Sequence, residues 1–152
     1  EWKGLDFSML LQGQAGCDIF DVTRRTDLYY INLPKSILNR WTGEGSTNKY
    51  PRFLYDSANQ NYRVSDLWVE DGSFLRARNV QIGYTLPQQW TKKAGISRLR
   101  VFVQAENLFT LTNYEGCDPE VTGGNGFGTE IGIDRGVYPS ARVFSVGVNL
   151  TF

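Results

Sequence analysis

Residues 142–152, RVFSVGVNLTF, alternate large apolar with small or polar side chains up to a final phenylalanine. Successive side chains of a strand point to opposite sides of its sheet, so Phe144, Val146, Val148, Leu150 and Phe152 share one face. Ser145, Gly147, Asn149 and Thr151 share the other, only Val143 breaks the pattern, and no charge follows Arg142. About nine to eleven tilted residues carry a strand across a bilayer, and this run has that length. Two settings fit it: lipid on one side and water on the other, or the half-buried face of a soluble sandwich, which alternates in the same way. Alternation by itself does not separate them.

Three upstream stretches carry related patterns. Residues 3–13 form a predicted strand with Leu5, Phe7, Met9 and Leu11 on one face, Asp6, Ser8 and Gln12 on the other, and Leu10 as a misfit. Residues 73–86 form a second, in which Val80, Ile82, Tyr84 and Leu86 oppose Asn79, Gln81, Gly83 and Thr85. Pro87 ends it, having no N–H for a ladder. Residues 98–111 form a third, with Leu99, Val101, Val103 and Ala105 against Arg100, Gln104 and Glu106, while Phe102 and Leu108 disobey. The connector 87–97 reads as one or two helical turns closed by Gly95. Residues 14–72 and 112–141 lose the alternation and are rich in Asn, Asp, Ser, Thr and Gly, as loops are. A short helix is expected over Leu33 to Trp41, with Pro34 near its first turn. Loops beyond about 12 to 15 residues are usually functional or disordered, and the Tyr and Trp content of the first loop argues against disorder.

A short connector between two long ones puts both long loops on one side of an up-and-down meander, and the short turn with both chain ends on the other. Outer-membrane barrels have this asymmetry, with short periplasmic turns and long extracellular loops. The expected fold is therefore all-β: antiparallel up-and-down strands at 3–13, 73–86, 98–111 and 142–152, extracellular loops at 14–72 and 112–141, and a periplasmic turn at 87–97. Four strands cannot close, since the smallest such barrels have about eight and an open edge in lipid leaves backbone groups costing several kcal/mol each. The chain opens in mid-pattern at Glu1-Trp2-Lys3-Gly4 without a starting Met or signal peptide, so the remaining strands are expected upstream. Tyr84, Trp90 and Phe152 fall on the short-turn side, where an aromatic girdle would meet the periplasmic interface. The rival fold is a soluble β-sandwich, a carbohydrate-binding module whose apolar faces pack on each other.

Composition removes several functions. Lys and Arg balance Asp and Glu at 16 each, leaving no field to steer nucleic acid. Histidine is absent, and with it the commonest metal ligand and general base. Cys17 and Cys117 are too few and too far apart in sequence for a zinc site or a CxxC pair, and they either bridge in an oxidising compartment or stay free. Aromatics at 14% and 16 glycines favour strands and turns over helices.

No residue set points to catalysis. Asp66, Glu70 and Asp71 read as a solvated cluster in a loop. Asp118, Glu120, Asn125, Glu130 and Asp134 are weak candidates as oxygen ligands for calcium, at a spacing that fits no EF-hand. Gly123 to Gly128 lacks the Lys-Ser/Thr that a phosphate loop needs. The loop aromatics, Trp41, Tyr50, Tyr55 and Trp68 with Tyr29, Tyr30, Phe53 and Tyr62, either pack the loop on itself or present flat rings to a sugar or partner protein.

Several motifs carry a resemblance. Residues 70–87, EDGSFLRARNVQIGYTLP, look like a DGSFLRLKNVTLGYTLP stretch, and residues 99–110, LRVFVQAENLFT, look like LRVYVSGQNLFT. GCDPE at 116–120 is similar to GYDPE, with Cys117 where an aromatic is usual, and GIDRGVYP at 132–139 is similar to GIDRGNYP. The ending VNLTF matches as well. These are marks of the C-terminal end of the SusC/RagA-like TonB-dependent outer-membrane transporters of Bacteroidetes. Residues 40–52 match a weaker pattern, and residues 17–39 match little of it.

The resemblance implies a barrel of about 22 strands in the cell outer membrane, with an N-terminal plug absent from this chain and no cofactor. It implies glycan or peptide import under a SusD-like lipoprotein lid, energised through TonB by the missing N-terminal region. It also implies that the outer-membrane assembly machinery reads Phe144, Val146, Val148, Leu150 and Phe152. A siderophore or vitamin receptor is the alternative within the same barrel class.

Overall fold

The structure is a computed structural model that describes residues 2–24, 32–33, 35–54, 60–61, 63–121 and 131–152. Its strands are β1 (Leu5–Gln14), β2 (Asp18–Asp21), β3 (Val69–Asp71), β4 (Phe74–Thr85), β5 (Arg98–Glu106), β6 (Thr110–Thr112), β7 (Ile133–Asp134) and β8 (Val143–Thr151). The chain forms two compact units, one of Glu1–Cys17, Gly72–Pro119 and Tyr138–Phe152, the other of Asp18–Asp71 and Glu120–Val137.

The first unit is an antiparallel sheet in the order β1-β4-β5-β8, with β6 extending the pairing along β4. Each long strand thus lies beside the next long strand in sequence. Register puts like beside like. Phe7, Ile82, Val103 and Val146 form one row across all four strands, flanked by Leu5, Tyr84, Val101 and Val148 on one side and Met9, Val80, Ala105 and Phe144 on the other. Paired residues share a face, so these rows make one continuous apolar surface. The reverse face carries the row Ser8, Gln81, Gln104, Ser145 and the row Asp6, Gly83, Phe102, Gly147. The misfits Leu10 and Val143 fall in a single reverse-face row with Asn79 and Glu106.

Two bulges explain where simple alternation fails. Leu10 pairs with Asn79 but Leu11 with Ala77, so Arg78 is an extra residue on β4. Unbroken alternation from Val80 would place Arg78 and Arg76 on the apolar face. The extra residue changes the phase, giving that face to Ala77 and Leu75 and turning Arg76 to the polar side. At the same level β5 is interrupted: Glu106 pairs with Asn79 and Thr110 with Arg76, leaving three residues opposite two. Asn107 takes up the extra residue at φ 51°, a left-handed conformation that asparagine tolerates better than most residues. The strand expected over 98–111 is therefore two pieces, and Leu108 falls in the break between them.

Phe102, the other misfit of that strand, has a steric reason. Its ring lies over Gly147 on β8, where a Cβ would collide with it. Gly83 on β4 is likewise crossed by the guanidinium of Arg100. Missing side chains at these two positions let larger neighbours lie flat along the sheet.

The connector from β4 to β5 contains the helix α1 (Gln88–Thr91), a 3-10 turn over Lys92–Ala94, and Gly95 in the left-handed conformation at φ 71°. The second unit holds the sheet β3-β2-β7, antiparallel on one side and parallel on the other. These short strands lie inside stretches expected to be loops throughout. Ile19, Trp68 and Val121 are buried in it, and Trp68 stacks on Phe20 with ring centroids 5.7 Å apart. The helix expected over Leu33 to Trp41 is a 3-10 turn at Lys35–Asn39, and Pro34 lies outside the described residues.

Candidate functional site

The apolar face of the four-stranded sheet is open. Phe7, Ile82, Val103 and Val146 are 60, 51, 51 and 75% exposed, and Phe144, Val148, Leu150 and Phe152 are exposed beside them. Monomeric soluble proteins rarely leave so continuous an apolar surface unless it meets a membrane or a partner. Among the described residues no helix is long and apolar enough to cross a bilayer, which says nothing about crossing by strands.

The opposite face is tied together by polar side chains. Arg100 donates from Nε to Asp6 Oδ1 at 2.8 Å and from Nη2 to Gln81 Oε1 at 3.0 Å, crossing Gly83 to do so. Gln81 Nε2 donates to Gln104 Oε1 at 3.2 Å, and Gln104 Nε2 to Glu106 Oε1 at 3.0 Å. A chain of charge and amide therefore runs from Asp6 on β1 to Glu106 at the end of β5. A second line runs at the bulges from β1 through β4 to the residues just after β5 and just before β8. Gln12 accepts from Arg78 at 2.8 Å, Arg78 donates to Asn107 at 3.4 Å, and Asn107 donates to the Ala141 carbonyl at 3.0 Å.

Trp2, Tyr84, Trp90 and Phe152 all belong to the end of this sheet that carries α1. Tyr84 pairs with Leu5, Trp2 bridges to Leu5, Trp90 lies on α1, and Phe152 follows Thr151, which pairs with Arg98. Their exposures are 70, 40, 68 and 86% in that order. Trp2 is not among the residues that the sequence pattern singled out at this end. Its position three residues before the first apolar strand residue is the signal that marks it.

The carboxylates expected to offer calcium ligands have other partners. Asp118 is buried, forms an ion pair with buried Arg76, and accepts from the Ser140 N–H at 3.0 Å. Asp134 is buried and accepts from the Gly136 and Val137 N–H groups at 2.7 and 3.1 Å, folding its own turn. Glu120 is half-buried. Among the described residues no three metal-ligating side chains cluster; Asn125 and Glu130 lie outside them. Glu70, expected in a solvated cluster, instead pairs with Arg24, which also bonds buried Asp21 at 3.3 Å. Asp66 and Asp71 are exposed. Both cysteines are free thiols, Cys117 exposed and Cys17 half-buried.

The loop aromatics divide. Trp68 is a core residue of the second unit, packed on Phe20. Trp41 and Tyr50 instead wall a groove of about 460 Å³, with Lys49, Arg52, Asn61 and Arg63 also lining it. The Trp41 N–H donates to the Tyr50 carbonyl at 3.1 Å, which holds the two aromatics together. The Arg52 guanidinium lies 5.9 Å from the Trp41 ring centre and the Lys49 ammonium 5.3 Å from that of Tyr50. Phe53 is half-buried, and Tyr29, Tyr30, Tyr55 and Tyr62 lie outside the described residues.

No protein-family model matches the chain. It is 31% identical over 156 residues to TonB-dependent receptor P3 of Formosa agariphila, covering 99% of this chain and 15% of that protein. To TonB-dependent receptor SusC of Bacteroides thetaiotaomicron it is 28% identical over 159 residues, covering 100% of this chain and 14% of that protein. In fold it is similar to the RagAB peptide transporter, with a TM-score of 0.76 at 24% identity over 100% of this chain and 16% of that one. The RagAB peptide importer in its closed-closed state also gives 0.76, at 26% identity over 99% and 16%. The chain thus spans about one seventh of the curated relatives it matches. With these likenesses running along its whole length, the chain belongs to the SusC/RagA-like TonB-dependent receptors.

Proposed function

We propose that this chain is the C-terminal wall of an outer-membrane importer, with β1, β4, β5 with β6, and β8 crossing the bilayer. The observation that carries this reading is the open apolar face spanning four strands, backed by a chain of hydrogen-bonded polar side chains on the reverse. A sandwich would bury those apolar rows against a second sheet; here they stand exposed. In a bilayer, the free backbone edges of β1 and β8 require further strands to pair with.

In this reading the connector with α1 is periplasmic, the stretches 14–72 and 112–141 are extracellular, and Trp2, Tyr84, Trp90 and Phe152 form the inner aromatic girdle. Phe144, Val146, Val148, Leu150 and Phe152 serve as the strand read by the assembly machinery. The whole protein imports glycan or peptide with a SusD-like surface lipoprotein, drawing energy through TonB by parts outside this chain, and we assign this chain no catalytic step. The RagAB likeness, to a protein described as a peptide importer, supports peptide as one cargo class. Uptake assays in a strain lacking the gene test the reading. Loss of glycan or peptide uptake, matched by loss in a strain without TonB, is expected; loss confined to iron complexes or vitamins would transfer the protein to the siderophore or vitamin class.

A further inference from the structure

The described lining of the groove walled by Trp41 and Tyr50 carries charge of one sign. Lys49, Arg52 and Arg63 line it, and none of its described lining residues is Asp or Glu, although the whole chain is neutral. The groove is also lined by Asn48, Gln60 and Asn61 and by Thr47 and Ser65, whose amides and hydroxyls both donate and accept hydrogen bonds. Two of the cations sit over the aromatic walls, which holds their charge beside the groove.

From this combination we infer that the groove binds an anionic glycan, a sugar chain bearing carboxylate or sulfate groups. Cations draw in and hold the acidic substituents. Flat rings pack against the apolar faces of sugar rings, and mixed donors and acceptors match ring hydroxyls. An extended acidic peptide would be captured most directly by adding a strand to a sheet edge, and no strand lines the described part of this groove. The inference deepens the import reading by naming the cargo class, and it locates recognition in this chain's own residues.

The test titrates the full-length receptor in detergent, by calorimetry, with an oligogalacturonate, a sulfated galactose oligomer, an uncharged galactose oligomer of equal length, and hexaglutamate. At least one anionic glycan is expected to bind tenfold or more tighter than the uncharged oligomer, the first two arms separating carboxylate from sulfate. That affinity is expected to fall as salt rises. The double variant Lys49→Gln/Arg63→Gln is expected to weaken binding about tenfold, the sum of two exposed ion pairs. Both side chains are exposed, so the variant keeps its fold, checked by the heat-modifiable mobility of the folded barrel.

Equal binding of the uncharged oligomer, an unchanged affinity in the double variant, or no binding of any glycan overturns the proposal. Hexaglutamate binding as tightly as the glycans and lost in the same variant overturns it in favour of an acidic-peptide site. A receptor that binds the glycan but takes up nothing leaves this inference standing and removes the import reading.

Discussion

The two units of this chain solve the burial of apolar side chains in opposite ways. The second unit hides Ile19, Trp68 and Val121 and pairs its buried acids internally, Asp21 with Arg24 and Asp134 with the N–H groups of its own turn. The four-stranded unit does the reverse, leaving its longest apolar surface open and placing its hydrogen-bonded side chains on the other face. Water as solvent explains the first arrangement, and hydrocarbon on one side, as proposed above, would explain the second. The lesson is that exposure has no meaning until the solvent at each face is named.

This contrast can be broken at several points. Trp68→Ala, in the core of the second unit, is expected to cost about 3–5 kcal/mol and to show as faster limited proteolysis of residues 18–71 while the full-length receptor, if it is the proposed barrel, keeps its heat-modifiable mobility. A barrel that fails to assemble would mean the loop core is not separate in energy from the sheet. Asp118→Ala strips buried Arg76 of its ion-pair partner and is expected to cost about 3–5 kcal/mol, read by guanidinium unfolding of the full-length receptor in liposomes. No change there would mean that Arg76 is held by its other contacts, among them the Thr110 hydroxyl at 2.9 Å and the Phe74 ring.

Next in size is Val148→Arg. If the apolar face meets lipid near the bilayer midplane, this change costs about 2–4 kcal/mol, measured by refolding into liposomes, whereas Asn149→Arg on the reverse face costs about 1 kcal/mol or less. Equal costs would remove the distinction between the faces. Smallest is Gly147→Val, which forces the Phe102 ring to move and is expected to cost about 1–3 kcal/mol by overpacking. The double variant Gly147→Val/Phe102→Ala recovers part of that loss if the ring is the obstacle.

The sequence told much about the strands and little about what interrupts them. The observed ranges Leu5–Gln14, Phe74–Thr85 and Val143–Thr151 lie close to where period-two alternation put them, because each long strand has one apolar and one polar face. The bulges at Arg78 and Asn107 were not legible, since an extra residue is defined only against the strand it pairs with. Phe102 looked like an error of pattern until Gly147, 45 positions away, was seen beneath it. β2, β3 and β7 are two to four residues long, too short for a period to show.

Candidate sites suffered the same limit. Asp118 reads alike as a loop carboxylate, a calcium ligand or the partner of an arginine 42 residues distant, and only the fold chooses. Trp41, Tyr50 and Trp68 are equivalent by composition, yet two wall a groove and one is core.

The paired bulges carry one more consequence. A strand with period two can slide past its neighbour by two residues and still present every apolar side chain to the same side, so alternation leaves each ladder with several equally good alignments. Arg78 and Asn107 end that degeneracy. Each marks one level, and the line from Gln12 through Arg78 and Asn107 to the Ala141 carbonyl closes only when β1, β4, the end of β5 and the approach to β8 meet at that level. The sheet thus has a built-in zero mark, and a slipped assembly forfeits the whole line at once.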